Sequence, residues 1–429
     1  MICIGLGSNV GHRLQNLQNA FCLLKERCLT NAQASIVLET PAILPENAPQ
    51  NWDLPYLNML VCGETTLSPQ QLLHTLQQIE VEMGRPKEHP FWGPRIIDLD
   101  ILLFNDIQIA TEELTIPHKA LNQRSFWLHL LAMMLPKVKN PFTQEPFAHY
   151  NPTNVFTNTY SIEPKLVGIV NVTPDSFSDG GKYLKSVDAY QHTLELFQAG
   201  ASIVELGAQS TRPSSRQISE QEEWSRLEEV LQTLQVKAPH IPLSIDTYYP
   251  TVIEKCLRFS NVVWINDVQG RLGNNILQEI AKQSRKLCIM HSLSVPPQKD
   301  FIDFNVSPIE TLQRWTEKIL AKLYACGFNN KDIILDPGIG FGKNMYQNWQ
   351  LLRTAHALKK YDCEVLIGHS RKSFYAGITN EPASERDVET LATSLQLYQQ
   401  KIDYLRVHNI ALHQRCFTAQ NCLMSYHGN

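Results

Sequence analysis

No apolar run in this chain reaches the roughly 18 residues that a membrane-crossing helix needs, and its opening MICIGLGS has no basic flank of the kind that begins a secretory leader. Membrane insertion and export are not expected, and the expected compartment is the cytoplasm. The ten cysteines form no CxxC pair, and most, including Cys3, Cys22, Cys62, Cys288 and Cys363, lie inside apolar runs. Buried reduced thiols fit that pattern better than a disulfide framework or a zinc site. Long blocks of like charge are also missing from a chain of net charge -4, so neither nucleic acid nor a membrane surface is an expected partner, and any phosphate must be held locally. Two familiar phosphate loops are absent as well. GLGSNVG has Val10 where a dinucleotide fingerprint needs its third glycine, and GIGFGKN follows Pro337 and has Asn344 where a Walker loop needs Ser or Thr. There is no internal repeat and no low-complexity tract.

What remains is an ordinary globular composition, 43% hydrophobic and 19% charged, in 429 residues. That length suits two domains, one of them barrel-sized. From Leu166 onward, eight β-rich runs each end in a polar or charged residue: LVGIVNVTPD, ASIVELGAQSTR, IPLSIDT, VVWINDV, KLCIMHS, DIILDPGIGFGK, CEVLIGHSRKS and DYLRVHNI. Amphipathic stretches at 187–198, 221–235, 309–323 and 386–399 separate several of them. Strands buried on both faces read as continuous apolar runs, and a (β/α)8 TIM barrel carries its chemistry on the loops at their C-terminal ends. Asn171, Asp175, Asp246, Asn266, Asp336, Lys372, Arg406 and His408 should therefore share one rim. An isolated strand-end carboxylate such as Asp246 serves equally well to order a loop; eight polar strand ends together favour a site.

Before the barrel, the pattern predicts strands at 2–6, 35–39, 57–64 and 97–104, helices at 13–28 and 69–83, and a further helix near 126–134. The β-α-β-β-α-β order indicates an α+β ferredoxin-like domain over residues 1–140. The segment 141–163 is rich in Pro, Asn and Thr without a period and reads as a linker or covering loop. The barrel domain is then 164–429.

In RIIDLDILLF, Asp98 and Asp100 are two apart on a strand, so both carboxylates leave one face while Leu99 turns to the core. Paired carboxylates suit a hard cation such as Mg²⁺, which keeps waters and shares carboxylates with substrate phosphates. Arg85, Lys87 and Arg95 lie just upstream in a Gly- and Pro-rich loop able to close over a triphosphate. Taken alone, D-x-D reads equally as a solvated face beside a turn. With WGPR and the basic loop it is more specific, and together with GLGSNVGHR, ETPA, PYLNMLVCGET and IPHKAL it resembles the 6-hydroxymethyl-7,8-dihydropterin pyrophosphokinases over about residues 1–136. The resemblance implies transfer of diphosphate from ATP to a pterin hydroxymethyl group, with Asp98 and Asp100 holding two Mg²⁺ ions. It also implies that Arg85 and Arg95 grip phosphates, that His118 binds the nucleotide, and that Thr40, Pro41, Tyr56, Asn58 and Phe126 form the pterin pocket. Glu80 and Trp92 match a site acid and a mobile-loop aromatic. Lys87 stands where some members have arginine, and a point charge does not reproduce a bidentate fork.

In the second half, NVTPDSFSDGG, STRP, SIDT, WIND, DPGIGFGK, SRKS and RVHN together resemble dihydropteroate synthase over about residues 162–412. That family joins 4-aminobenzoate to dihydropterin diphosphate. The resemblance implies Asn171 as a Mg²⁺ ligand and Arg406 and His408 as diphosphate ligands. Asp246, Asn266, Asp336 and Lys372 would read the pterin edge, with Met290 against the ring. Thr211, Arg212, Pro213, Phe177, Phe341 and Ser373 would surround the other substrate, and Asp175, Asp179 and Asp246 would stabilise positive charge on the pterin methylene. Gln209 and Ser214 replace the usual glutamate and glycine around STRP, and Asn409 replaces the acid common after RVH. The implied protein is bifunctional, takes ATP, hydroxymethyl-dihydropterin and 4-aminobenzoate, and forms a homodimer through its barrel. A pterin-binding methyltransferase barrel is the alternative enzyme, although STRP and SRKS have no use there, and a scaffolding role for one half is the non-catalytic alternative.

Overall fold

The computed structural model describes residues 1–45, 47–86, 93–150, 159–172, 182–209, 217–298 and 300–425. The chain divides into two compact units, Met1–Ile162 with Gln414–Asn429, and Glu163–His413.

The first unit is built on β1 (Ile2–Ser8), whose seven residues are all buried. It is followed by α1 (Arg13–Arg27), β2 (Thr30–Ala34), β3 (Val37–Thr40), β4 (Tyr56–Glu64), α2 (Pro69–Glu82), β5 (Asp98–Phe104), the two-residue strands β6 (Ile109–Ala110) and β7 (Thr115–Ile116), α3 (Ser125–Met134) and β8 (Thr159–Tyr160). The sheet order β5-β1-β4-β3-β8, with β1 antiparallel to both β4 and β5, contains the ferredoxin-like arrangement and adds an edge strand. Period-two alternation sorts the side chains. Ile4, Leu6, Met59 and Leu99 pack with Leu17, Leu24, Leu72 and Ile79 of α1 and α2 on one face. Cys3, Leu60 and Leu102 pack with Trp127 and Leu131 of α3 on the other. A capping box between Ser68 and Gln71, with Pro69 in the first turn, starts α2.

Two parts of this unit were not expected. β2, TNAQA, has no buried position and so carries little apolar signal; it is held by its pairing with β4, with Ala32 and Ala34 against the core. The described part of 141–163 is no free linker. Phe147 is 1% exposed and belongs to the α3 cluster, Thr159 and Tyr160 pair with β3, and Ile162 joins the other core. Single anchors spaced far apart leave no period to read. The last helix, α11 (Ile410–Ser425), also differs from the expected boundary, since from Gln414 it counts with the first unit. There the Gln414 side chain accepts from the Ser161 N–H at 2.9 Å and Asn421 donates to Ser161 Oγ at 2.8 Å.

The second unit is a closed parallel barrel in the order β10-β11-β12-β13-β14-β15-β16-β9. Its strands are β9 (Lys165–Asn171), β10 (Ile203–Gly207), β11 (Leu243–Asp246), β12 (Val262–Asp267), β13 (Lys286–Met290), β14 (Ile333–Asp336), β15 (Glu364–Ile367) and β16 (Tyr404–Val407). Between them run α4 (Lys182–Gln198), α5 (Glu220–Lys237), α6 (Pro250–Cys256), α7 (Asn274–Lys282), α8 (Pro308–Ala325), α9 (Met345–Thr354) and α10 (Asp387–Gln399). Inside, Val167, Ile203, Trp264, Cys288, Ile334, Leu366 and Tyr404 form an apolar plug. Toward the C-terminal rim the register brings Asn171, Gly207, Asp246 and Asn266 into one row, so the strand ends meet as a (β/α)8 barrel requires.

Phe147→Ala tests whether 141–150 belongs to the first core. Deleting a buried phenylalanine costs about 3–5 kcal/mol, so the urea midpoint of the first unit should fall; a change under about 0.5 kcal/mol, typical of surface sites, would show a detached linker.

Candidate active sites

The first site lies on the α3 face of the sheet. Gly5 and Gly7 keep that face open, because a Cβ at Gly5 would lie 3.0 Å from Trp127 Nε1 and one at Gly7 would lie 3.2 Å from Asn58 Oδ1. A cavity of about 740 Å³ results, lined by Thr40, Pro41, Tyr56, Asn58, Arg85, Arg95, Asp98, Asp100, His118 and Phe126 among others. Asp98 and Asp100 pair with Gly7 and Gly5 of β1 and point into it. Asp98 Oδ1 accepts from Arg85 Nη1 at 2.7 Å and from Arg95 Nη1 at 3.1 Å. Burial pushes the Asp98 carboxyl up, but the two guanidiniums outweigh it and the net shift is downward. Asp100 lacks such close cations; His118 Nε2 is 3.8 Å and Arg124 Nη1 3.7 Å away. Burial, with the Asp98 charge beside it, pushes Asp100 up to about 7. Glu80 stands behind the floor, bonded to Arg85 and accepting from Leu99 N–H at 2.8 Å, and burial raises it to about 7 despite that arginine. His118 accepts from Ala120 N–H through Nδ1 at 3.1 Å, and burial with Arg124 and Lys119 lowers its pKa to about 4. Its ring is therefore neutral at pH 7 and carries its proton on Nε2, facing the carboxylates.

The second site is the barrel rim. Asp246 is pushed well above the ordinary carboxylate range by burial and by Glu205 beside it. Asn266 is fully buried; its Nδ2 donates to Glu205 Oε2 at 3.0 Å, while its Oδ1 has no hydrogen-bond partner among the described residues. Asp336 Oδ1 accepts from Gly338 N–H at 2.7 Å, and its Oδ2 is likewise buried and unpaired among them. Lys372 donates to the Ile339 carbonyl and lies 4.6 Å from the Phe341 ring centre. Burial and Arg406 lower its ammonium pKa to about 7. Met290, Val268 and Phe341 supply an apolar wall. Arg406 Nη1 pairs with Glu205 Oε1 at 2.8 Å, and His408 Nδ1 meets Ser370 Oγ at 2.9 Å. Ser373 is exposed at the start of a 3-10 turn whose Phe374 and Tyr375 are buried. The rim thus offers two orphaned acceptors, an amine and a guanidinium around an apolar wall, which suits a flat heterocycle carrying N–H donors and an anionic group.

Each unit also matches a known family. Residues 3–136 match the 7,8-dihydro-6-hydroxymethylpterin-pyrophosphokinase family and residues 167–408 the pterin binding enzyme family. The folate synthesis bifunctional protein of Chlamydia caviae is 38% identical over 97% of this chain and 97% of its own length. The chain belongs to the folate synthesis bifunctional protein family. Among solved structures, dihydropteroate synthase from Anaplasma phagocytophilum with bound 6-hydroxymethylpterin-monophosphate is 34% identical, covering 61% of this chain and 98% of its own with a TM-score of 0.53. The Xanthomonas albilineans enzyme with 4-aminobenzoic acid is 31% identical, covering 61% of this chain and 93% of its own with a TM-score of 0.56. The chain therefore combines a pterin pyrophosphokinase with a dihydropteroate synthase, and the methyltransferase and scaffold alternatives fall away.

Several residues named from the sequence, Lys87, Trp92, Asp175, Phe177, Asp179, Thr211, Arg212 and Pro213, lie outside the described residues, as does Ser214. Of the departures, Gln209 donates to the Tyr248 hydroxyl at 2.8 Å. Asn409 donates to Asp387 at 2.9 Å, and Asp387 is held by Arg371 through bonds of 2.7 and 3.0 Å. The carboxylate beside Arg371 thus comes from α10. Three residues escaped the sequence reading. Arg124 reaches Asp100 and lies over Trp127 at 4.3 Å. Lys343 joins the loops after β13 and β14 by donating to His291 O at 2.8 Å and Phe341 O at 2.9 Å. Glu205 interrupts the apolar run of β10, and a charge inside a barrel strand was the available signal.

Gly338 has φ +65°, and a Cβ there would lie 2.0 Å from the His291 carbonyl oxygen. Both facts require glycine. Gly338→Ala should move Asp336 and lower dihydropteroate formation from supplied dihydropterin diphosphate at least tenfold, while AMP release by the first site stays normal. Unchanged synthase rates would show that the loop tolerates displacement.

Proposed function

We propose that the cavity of the first unit performs the pyrophosphokinase step and the barrel rim the synthase step, with the active-site roles distributed as follows. Thr40, Pro41, Tyr56, Asn58 and Phe126 hold the pterin; Asn58 Nδ2 donates to Thr40 Oγ1 at 2.9 Å, which orients its amide. Arg85 and Arg95 grip ATP phosphates, and His118, neutral with its proton on Nε2, donates to the nucleotide. The hydroxymethyl oxygen attacks the β-phosphorus and AMP leaves, a transfer that depends on positioning and charge neutralisation. Asp98 and Asp100 are the Mg²⁺ ligands. Their crowding, which drives Asp100 to about 7, fits a site relieved by a divalent cation. When bound, Mg²⁺ neutralises the charge that develops on the transferring phosphates. Glu80 anchors Arg85, and Lys87 and Trp92 complete the nucleotide side.

At the rim, Asn266 and Asp336 accept from the pterin edge, Lys372 donates to it, and Met290 packs on the ring. Asp246, pushed toward its neutral form, suits reading that edge better than carrying charge. Arg406 and His408 bind the diphosphate, and Asn171 is the Mg²⁺ ligand there. As the C–O bond breaks, diphosphate leaves and the amine of 4-aminobenzoate attacks the methylene and loses a proton. Asp175 and Asp179 take the role of stabilising the transient cation, and Phe177, Thr211, Arg212, Pro213, Phe341 and Ser373 that of binding the acceptor. A homodimer through the barrel is supported by a groove of about 650 Å³ between α9 and α10, beside which Tyr346, Ile378 and Val388 are 65%, 61% and 75% exposed. A cytoplasmic location is supported by the ten cysteines, which are free of disulfides.

What carries this reading is the pairing of Asp98 and Asp100 on one face beside two arginines, and reciprocal variants test it. Asp98→Ala or Asp100→Ala should slow AMP formation by orders of magnitude, about several kcal/mol of transition-state stabilisation, and leave the synthase step on supplied dihydropterin diphosphate intact. Lys372→Ala or Asp336→Ala should do the reverse and weaken pterin binding by about 1–3 kcal/mol in calorimetry. Near-normal AMP release in the first pair, or unchanged pterin affinity in the second, contradicts the corresponding assignment.

A further inference from the structure

Glu205 is 3% exposed in the middle of β10, one layer beneath the row of strand-end residues. Its two oxygens serve three other strands. Oε2 accepts from Ser244 Oγ of β11 at 3.0 Å and from Asn266 Nδ2 of β12 at 3.0 Å, and Oε1 accepts from Arg406 Nη1 of β16 at 2.8 Å. Gly368 leaves room for the arginine, since a Cβ there would lie 2.8 Å from its Nη2. An amide side chain has one accepting and one donating end, and its orientation follows from its partners. A carboxylate accepts only, so Asn266 must turn its NH₂ group to Glu205 and its oxygen away from it. That oxygen is the one left without a partner.

We propose that Glu205 is a positioning residue that sets substrate specificity: it locks the Asn266 amide with its oxygen toward the substrate, so the rim accepts a heterocycle presenting an N–H donor there and rejects one presenting a carbonyl. The same carboxylate holds Arg406 in place, coupling the ring-reading and anion-binding ends of the pocket. This rests on the assignment of Asn266 to the pterin edge. Without the lock, a half-turn of the amide would present NH₂ instead, and an oxo group would be accepted. Asp336, whose Oδ2 is also unpaired, cannot make that exchange while ionised, because it has only acceptors. The preference for donors that depends on Glu205 therefore resides at Asn266.

Calorimetry with a 2-amino-4-oxo pterin and its 2,4-dioxo analogue tests the role in four chains: the native protein, Glu205→Gln, Asn266→Ala, and the double variant. Glu205→Gln should weaken amino-pterin binding on the order of tenfold, the effect of one buried hydrogen bond, and should shrink the preference for amino over oxo. In the Asn266→Ala background the same substitution should change affinity less than threefold, because its target is gone. If Asn266→Ala weakens binding while Glu205→Gln leaves both affinity and preference unchanged, or if the two effects multiply in full, the positioning role is overturned and the pocket assignment stands. If Asn266→Ala leaves pterin affinity unchanged, the pocket assignment itself fails and takes this role with it. Should Glu205→Gln not fold, Glu205→Asp keeps the charge but withdraws the carboxylate from Asn266 by one methylene and should narrow the preference in the same direction; an unaltered preference in that variant overturns the proposal.

Discussion

A charge enclosed by a parallel barrel has no water to turn to, so every charged group near the rim must be answered by another protein group or by the substrate. The ion pair between Glu205 and Arg406, at 2.8 Å, meets that constraint across the barrel, and the rest of the rim is arranged around it. Glu205 raises Asp246, Arg406 helps lower Lys372 to about 7, and Asn266 takes its orientation from Glu205. Arg406 itself stays cationic, because the carboxylates of Glu205, Asp336 and Asp246 outweigh its burial. Removing one member of such a set leaves the others uncompensated.

The first unit meets the same constraint on a different scaffold. Its charged groups stand on the face of an antiparallel sheet, where two glycines of β1 make room and α3 closes one side. Asp98 is compensated by two arginines, whereas Asp100 is not and is driven toward neutrality. That asymmetry leaves a place for substrate-borne cations. Both units act on a pterin and a diphosphate, on two different scaffolds.

Much of this was legible in the sequence because strand ends are punctuated. Apolar runs ending in Asn171, Asp246, Asn266, Asp336 and Arg406 gave the barrel and its rim, and the two-residue spacing of Asp98 and Asp100 gave their common face. Legibility failed where structure is held by isolated contacts. Phe147 and Ile162 anchor a segment whose composition reads as linker, and TNAQA becomes a strand where β4 offers it an edge and its two alanines meet the core. Arg124 and Glu205 were overlooked for another reason: each acts on a residue already identified, and such contacts depend on the fold rather than on spacing. Asn409 shows the same limit, since its partner Asp387 lies on the preceding helix.

One measurement tests the central claim, that a single chain performs both steps. Purified protein is supplied with ATP, Mg²⁺, 6-hydroxymethyl-7,8-dihydropterin and 4-aminobenzoate, and AMP and dihydropteroate are quantified together. One AMP should appear for each dihydropteroate formed, with no other enzyme present. AMP release without dihydropteroate, or dihydropteroate only after a separate synthase or pyrophosphokinase is added, would contradict the account.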